Sequence, residues 1–395
     1  MSLLRLFVIP DLTRNKEKFI SLIQTIFNTR TVYLYNSARS ALYTHLKSLH
    51  YSDGSEVIVT GFTCDVVANS VIQAGLTPVY VDINEDNFCM SPDSVRTNIS
   101  SKTRVIIIQH SFGIPADIDE LIEIANKHNL YIIEDCAVSL GSKYKGKYTG
   151  TFGDAAIFSF ELSKTITSCR GGMLFINTNK LNGLEKHKKL YTTVPEQSRK
   201  YSSNILFQLG TNGLLYRPLF FHYIGKYIVS FLYKKNIFKS STNHAEFLAE
   251  MPPNYVQKLS GSQCVILLRQ LKRLSLIKAQ SVKIAAKYIR ELENLPEIKF
   301  PANHINDELN MIRFPLLVHN RSQYITKLET NSIEPGLWFT APLSSPSIDH
   351  SLFHYNVGSC PNSETIVKKI MNLPLHVKVC KKDINKIIST FTNPN

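Results

Sequence analysis

The chain has 395 residues, 44% of them apolar, and carries 45 Lys and Arg against 31 Asp and Glu for a formal charge of +14. That length sustains one large domain and a smaller one without staples, and the basic surplus comes with no zinc finger, RNA-binding aromatic signature or arginine tract, so nucleic acid is not the expected partner. The seven cysteines include no CxxC pair and are odd in number, which argues against a disulfide framework and a zinc site and points to a reducing cytosol.

The first stretch, "MSLLRLFVIPDLTRNKEK", is broken by Arg5, Pro10 and Asp11 and has no small-residue cleavage site, so it does not read as a signal peptide. No uncharged apolar run reaches the ~20 residues of a spanning helix. From residue 31 to 182 the chain alternates in type. "TVYLY", "EVIVT", "PVYVDI", "RVIIIQH", "YIIEDC", "AAIFSF" and "GMLFIN" predict strands. "ARSALYTHLKSL", "DVVANSVIQAG", "SPDSVRTNI" (with Ser91 and Asp93 as caps) and "DIDELIEIANKHN" predict helices. The strands are continuous and β-branched, as when both faces are covered. The expectation is an α/β fold, a large mostly parallel sheet with helices on both sides, followed by a smaller C-terminal α+β domain. The division is expected as 1–250 and 251–395.

Residues 199–245 stand apart. No acidic residue lies between Glu196 and Glu246, while "LLYRPLFFHYIGKYIVSFLYKK" is aromatic and apolar, with Arg217, Lys226, Lys234 and Lys235 spaced through it. It reads as an excursion buried in a dimer interface, with peripheral membrane contact through 205–239 as the alternative. A true span is opposed by Arg217 and Lys226. Beyond residue 255, "LSGSQCVILLRQLKRLSLIKAQSVKIAAKYIRELENL" predicts a long helix or helix pair. "EIKF", "NMIRFPLLV" and "SIEPGLWF" predict strands, and "SQYITKLET", "SETIVKKIMNLPL" and "KKDINKIISTFT" helices.

Open sheets of this kind bind ligands beyond the carboxyl ends of their strands. Asp135 ends one such strand, and a buried carboxylate needs a partner. A salt bridge or helix cap would serve, as would a protonated heterocycle kept cationic as an electron sink. Lys164 follows the Ser159-ended strand and precedes Gly171-Gly172. A surface lysine is the ordinary reading; a desolvated amine of lowered pKa, able to form a Schiff base, is the other. "NSARSAL" joins a strand to a helix start, where free N–H groups and the helix dipole suit a phosphate, although its serines could be plain N-caps.

The order of these groups, with "EVIVTGFTCDVVANSVIQAGLTPVYVDI", "QHSFGIPADIDEL", "IIEDCAVSLGSKYKGKYTGTFGDAAIFSF", "QLKRL" and "CPNSETIVKKIMNLPLH", resembles the DegT/StrS-type sugar aminotransferases. These are pyridoxal 5'-phosphate enzymes of the aspartate aminotransferase fold (fold type I). The resemblance covers most of residues 30–390 and is most specific over 131–172. It implies that Lys164 binds the cofactor covalently and moves the proton, and that Asp135 pairs with the ring nitrogen. Ser159 and the amides around Ala38 and Arg39 would hold the phosphate, Cys64 would lie against the ring, and Lys258 would stand where an arginine usually reaches across a homodimer with shared active sites. Departures from the family pattern are Cys64 for an aromatic, Val138 for a glutamine, Arg39 for a threonine, Arg170 for a glutamate and Val256 for an asparagine. Lys164 itself argues against the dehydratase branch, which has histidine there.

The activity so implied is transfer of an amino group from an amino-acid donor, L-glutamate, to a keto-sugar acceptor linked to a nucleotide, for polysaccharide or secondary-metabolite synthesis in the cytoplasm. Two other readings stay open: a pyridoxal-phosphate lyase or condensing enzyme acting on an amino acid, and a non-catalytic scaffold that uses the basic aromatic segment.

Overall fold

The computed structural model describes residues 12–29, 31–215, 221–240, 242–301, 306–344, 346 and 348–392. The stretch up to residue 11 and Arg217, both read above, lie outside the described residues. The chain runs α1 (Leu12–Phe27), β1 (Thr31–Tyr35), α2 (Ala38–Ser48), β2 (Glu56–Thr60), α3 (Asp65–Gln73), β3 (Thr77–Val81), α4 (Pro92–Asn98), β4 (Thr103–Gln109), α5 (Ile118–Lys127) and β5 (Tyr131–Asp135). A hairpin of β6 (Lys143–Tyr144) and β7 (Lys147–Tyr148) precedes β8 (Ala155–Ser159) and β9 (Gly172–Ile176). Then come α6 (Gly183–Thr193), α7 (Arg199–Leu215), a π-helical turn at Phe221–Gly225 that leads into α8 (Lys226–Lys234), and the short α9 (His244–Phe247). The remainder is α10 (Gly261–Leu271), α11 (Leu274–Leu292), β10 (Ile298–Lys299), β11 (Arg313–Val318), α12 (Arg321–Thr330), α13 (Pro361–Lys369), β12 (Ile370–Pro374) and α14 (Lys381–Thr392).

Seven strands form one sheet in the order β1-β9-β8-β5-β4-β2-β3. β3, β2, β4, β5 and β8 pair in parallel, and β9 alone runs against its neighbours β8 and β1. Because both faces are covered, alternate residues of each apolar strand enter different cores. Val57, Val59, Ile107 and Ile133 pack under α2 and α3. Ile58, Ile106 and Ile132 pack with Val95 of α4 and Leu121 of α5. Phe158 and Phe175 pack with α1 and with Leu267 and Leu271 of α10. A second sheet, β10-β11-β12, is antiparallel, and its core of Phe314, Leu316, Met371 and Leu373 is closed by α11 and α14.

Two local expectations are corrected. "SIEPGLWF" is not a strand: only Gly336 makes an isolated bridge, to Asn372. Pro335 has no N–H for a ladder, and the segment bends to become a wall of the site below. "SETIVKKIMNLPL" is not helical throughout. The helix stops at Lys369, and Ile370 turns to ψ 136°, so that Met371 and Leu373 can pair with β11 and fill the small core. The tertiary pairing overrides the helical period.

β9 begins at a tight place. A Cβ on Gly172 would lie 2.2 Å from the carbonyl carbon of Ser37 and 2.3 Å from the amide nitrogen of Ala38, so glycine is what lets β9 pass the start of α2. Gly213, within α7, has nothing within 4 Å of its added Cβ. Gly172→Ala is expected to cost about 3 kcal/mol in urea unfolding, an overpacking penalty, whereas Gly213→Ala gains about 0.5–1 kcal/mol from helix propensity. Equal effects of the two would contradict the close approach.

Candidate active site

The strands β1, β2, β4, β5 and β8 all end on one edge of the large sheet, and there the chain turns polar. A cavity of about 590 Å³ opens between this edge and the small sheet. It gathers six of the seven residues predicted from sequence: Ala38, Arg39, Cys64, Asp135, Ser159 and Lys164. Lys258 does not line it. That residue bridges Tyr35 and Glu196, with Nζ 3.7 Å from Glu196 Oε1 and 5.0 Å from the Tyr191 ring centroid. A second cavity of about 700 Å³ shares Ser37, Arg39, Arg170 and Lys239 with the first.

One end of the cavity is formed by the start of α2. Ser37 caps α2 in an extended conformation, its Oγ accepting from the Ser40 amide. Ser40 Oγ donates to Asn36 Oδ1 at 2.6 Å, and Asn36 Nδ2 donates to the Tyr255 carbonyl. Ala38 and Arg39 open α2, and both line the cavity with Ser159. The Arg39 side chain serves another purpose. Its guanidinium is buried and donates to Glu246 at 2.6 Å, with Glu161 at 3.9 Å. Burial works against this charge, but Glu246 and Glu161 outweigh it and raise the Arg39 pKa. The Arg39 side chain therefore ties α2 to α9.

At the centre stand Asp135 and Lys164. Asp135 Oδ1 accepts from the Ala137 amide at 2.9 Å. Burial raises its pKa against the pull of that bond and of Lys164 and His110. Burial pushes the Lys164 amine below its ordinary value, with Arg313 adding to the effect and Cys64, Asp135 and Glu161 opposing it. Lys164 Nζ sits 4.9 Å from the Trp338 ring centroid, and the Arg313 guanidinium lies 5.1 Å from the same ring. The Cys64 thiol is pushed up to about 12, chiefly by burial and then by Asp65, so it stands in the wall as a neutral group. Arg313 and Trp338 escaped the sequence reading: they lie far down the chain, inside stretches read as plain strands, and no local spacing marks them.

Glu134, one residue before Asp135, fixes this arrangement. Its Oε1 accepts from the amides of Phe152 and Gly153, and its Oε2 from Gly150, each at 2.7 Å. His110 Nε2 lies 3.1 Å from Oε2. Since His110 Nδ1 accepts from the Ala116 amide, the ring proton is on Nε2 and donates to Glu134. Glu134, His110 and Cys136 come close enough to suggest a metal group, but the carboxylate already accepts four hydrogen bonds, so the cluster is structural.

Comparison with known proteins bears on this site. The profile of the DegT/DnrJ/EryC1/StrS aminotransferase family matches residues 12–217 and 233–392, leaving 218–232 unmatched. GDP-perosamine synthase of Escherichia coli O157:H7 is 37% identical over 206 residues, covering 50% of this chain and 56% of that protein. The spore coat polysaccharide biosynthesis protein SpsC of Bacillus subtilis is 25% identical over 89% of this chain and 82% of its own length. Among solved structures, Helicobacter pylori PseC, an aminotransferase of pseudoaminic acid biosynthesis, superposes with a TM-score of 0.74 at 20% identity, covering 98% of this chain and 93% of that one. Spr1654 of Streptococcus pneumoniae in its PLP form gives a TM-score of 0.74 at 22% identity, covering 95% and 90%. These likenesses carry the fold.

Glu134→Gln is expected to put an amide NH₂ against backbone donors. It should lower stability by on the order of 3 kcal/mol in denaturant unfolding, with no metal lost on dialysis. Unchanged stability would remove Glu134 as the anchor of the Asp135 loop.

Proposed function

Since this chain belongs to the DegT/DnrJ/EryC1/StrS aminotransferase family, and is a pyridoxal-phosphate-dependent aminotransferase, we propose that it moves an amino group from L-glutamate to a nucleotide-linked keto-sugar. The observation that carries this reading is that Lys164 and Asp135 line one cavity beside the start of α2. The relatives named GDP-perosamine synthase and spore coat polysaccharide biosynthesis protein support a sugar acceptor and a role in polysaccharide synthesis.

The residues present fit the cofactor. Asp135 is a buried carboxylate with one side-chain hydrogen bond, and a cationic ring nitrogen is the partner that would favour its charged form. Gly172 lets β9 pass tight against the start of α2, which sets Ala38 and Arg39 in the cavity wall with Ser159. The Ala38 and Arg39 amides and the Ser159 hydroxyl would hold the phosphate. Bound there, pyridoxal phosphate supplies an electron-accepting ring beside the amine that loses its Cα proton.

The chain's own groups do the rest. Lys164, held below its ordinary pKa by burial, is the amine placed to accept a proton released at the donor's Cα and to return it in the second half-reaction. Asp135 would keep a proton on the ring nitrogen of the bound cofactor. Arg313 lines the cavity and has no carboxylate at ion-pair distance among the described residues. Its guanidinium is the natural receiver for the donor's carboxylate. Cys64 and Phe339 keep water from one side of the cavity. The second cavity, with Arg170 and Lys239 in its wall, suits the anionic carrier of the acceptor.

We further propose a homodimer with shared sites, in which Lys258 serves the neighbouring subunit, working in the cytoplasm, where its seven free cysteines stay reduced. The domain boundary is best drawn after Leu271 rather than at residue 250, because α10 packs into the core of the large sheet.

Glutamate carrying a labelled amino group, incubated with a panel of keto-sugar nucleotides, is expected to yield a labelled amino sugar and one 2-oxoglutarate for each. Label that stays in amino-acid products would favour the lyase reading. Lys164→Ala is expected to lose the visible absorbance of the bound cofactor and to slow transfer about a thousandfold or more. Arg313→Gln should keep that absorbance and raise the KM for glutamate about 10- to 100-fold; an unchanged KM would place the donor's carboxylate elsewhere.

A further inference from the structure

Within the segment left unmatched by the family profile, 218–232, the described residues from Tyr223 to Phe231 expose a run of large apolar side chains. Phe221–Lys234 is one helical stretch, a π-helical turn leading into α8. Its inner face is clear: Val229 and Leu232 pack with Leu215 of α7 and with Phe238. Tyr223, Tyr227 and Phe231 recur every four residues on another face and are 70, 66 and 55% exposed. Ile224 and Ile228 flank them, also exposed. An apolar stripe of this size on the outside marks an interaction surface.

Charge narrows the partner. Lys226, Lys234, Lys235 and Lys239 are exposed around the stripe, and no acidic residue occurs between Glu196 and Glu246. Lys226 Nζ lies 5.1 Å from the Tyr227 ring and Lys235 Nζ 5.9 Å from Phe231, so cations and aromatics share one face. A second copy docking stripe to stripe is a poor occupant. A two-fold contact centred on the stripe would set it against its own copy, and lysine would then meet lysine with no carboxylate on the segment to separate them. The described part of this element is also too short to span a membrane. Fourteen helical residues at ~1.5 Å each reach ~21 Å, short of the ~30 Å hydrocarbon core, and no described helix is long and apolar enough to cross.

We propose that residues 221–239 form an interfacial anchor, laying Tyr223, Tyr227 and Phe231 into the headgroup boundary of an anionic lipid surface with the four lysines among its phosphates. The anchor is continuous with the active site. Tyr233 and Lys239 of the same segment line the cavity, and Gln208 of α7 holds the Lys239 backbone, donating to its carbonyl and accepting from its amide. A docked enzyme presents the rim of its cavity to the membrane surface.

The test is co-sedimentation with vesicles of phosphatidylcholine containing about 30% phosphatidylglycerol, against phosphatidylcholine alone, at low and high salt. The protein is expected on the anionic vesicles only, and released by salt. Each of Lys226→Ala, Lys234→Ala and Lys235→Ala should weaken binding about fivefold, and Tyr227→Asp with Phe231→Asp should abolish it. The double variant should keep the cofactor's visible absorbance and its aminotransfer rate on soluble substrates, which separates loss of docking from loss of fold. Three results would overturn the proposal: no binding of the unaltered protein to anionic vesicles, equal binding by the double-aspartate variant, or an oligomer in vesicle-free buffer that the same substitutions dissociate.

Discussion

The buried carboxylate of Glu134 is the interaction on which the site depends. Three backbone amides from 150–153 and the His110 ring converge on it, and this draws the chain back after β5 so that β8 can pair beside it, Asp135 opposite Ile157. Two strand ends, one bearing Asp135 and the other Ser159, become neighbours as a result. A buried charge is tolerated because four donors meet it, and charge-assisted bonds of this kind are shorter and stronger than neutral ones. The acid proposed to serve the cofactor is thus the residue next to the acid that does architecture, and alternation along a strand sends their side chains to opposite faces.

The same economy appears in Arg39. Its backbone borders the cavity while its guanidinium, gripped by Glu246 and Glu161, fastens α2 to the end of the 199–245 segment. Glu246 also closes the capping box of α9. The segment is therefore not a loose excursion: its distal end is locked to the helix whose N-terminus would hold the phosphate.

The large sheet was legible because its strands are apolar on both faces and their polar ends come in a fixed order; each residue read at a strand end in "YIIED" or "AAIFS" lies at the cavity edge. The order of local words also sufficed to bring Lys164 and Asp135 together. What was not legible came from tertiary pairing. "IMNLP" continues a helical period but takes its place as β12, since β11 offers a ladder and an apolar core. Arg313 and Trp338 reach the cavity from the small sheet and its bordering loop, and nothing in "NMIRFPLLV" or "SIEPGLWF" distinguishes a wall of a site from an ordinary strand. The exposed stripe on α8 had the opposite problem. Its composition was plain, but only the packed positions of Val229 and Leu232 tell which face is left over.

Trp338 is the chain's single tryptophan, and it stands in the cavity wall between Lys164 and Arg313. Indole emission from this protein consequently originates at one known spot. Energy passing from that ring to a chromophore in the cavity, or a change of polarity as a carboxylate meets the neighbouring guanidinium, would dim or shift the light without any label. The molecule carries its own optical gauge of occupancy, and stopped-flow traces of that single ring could time the arrival of each reactant separately.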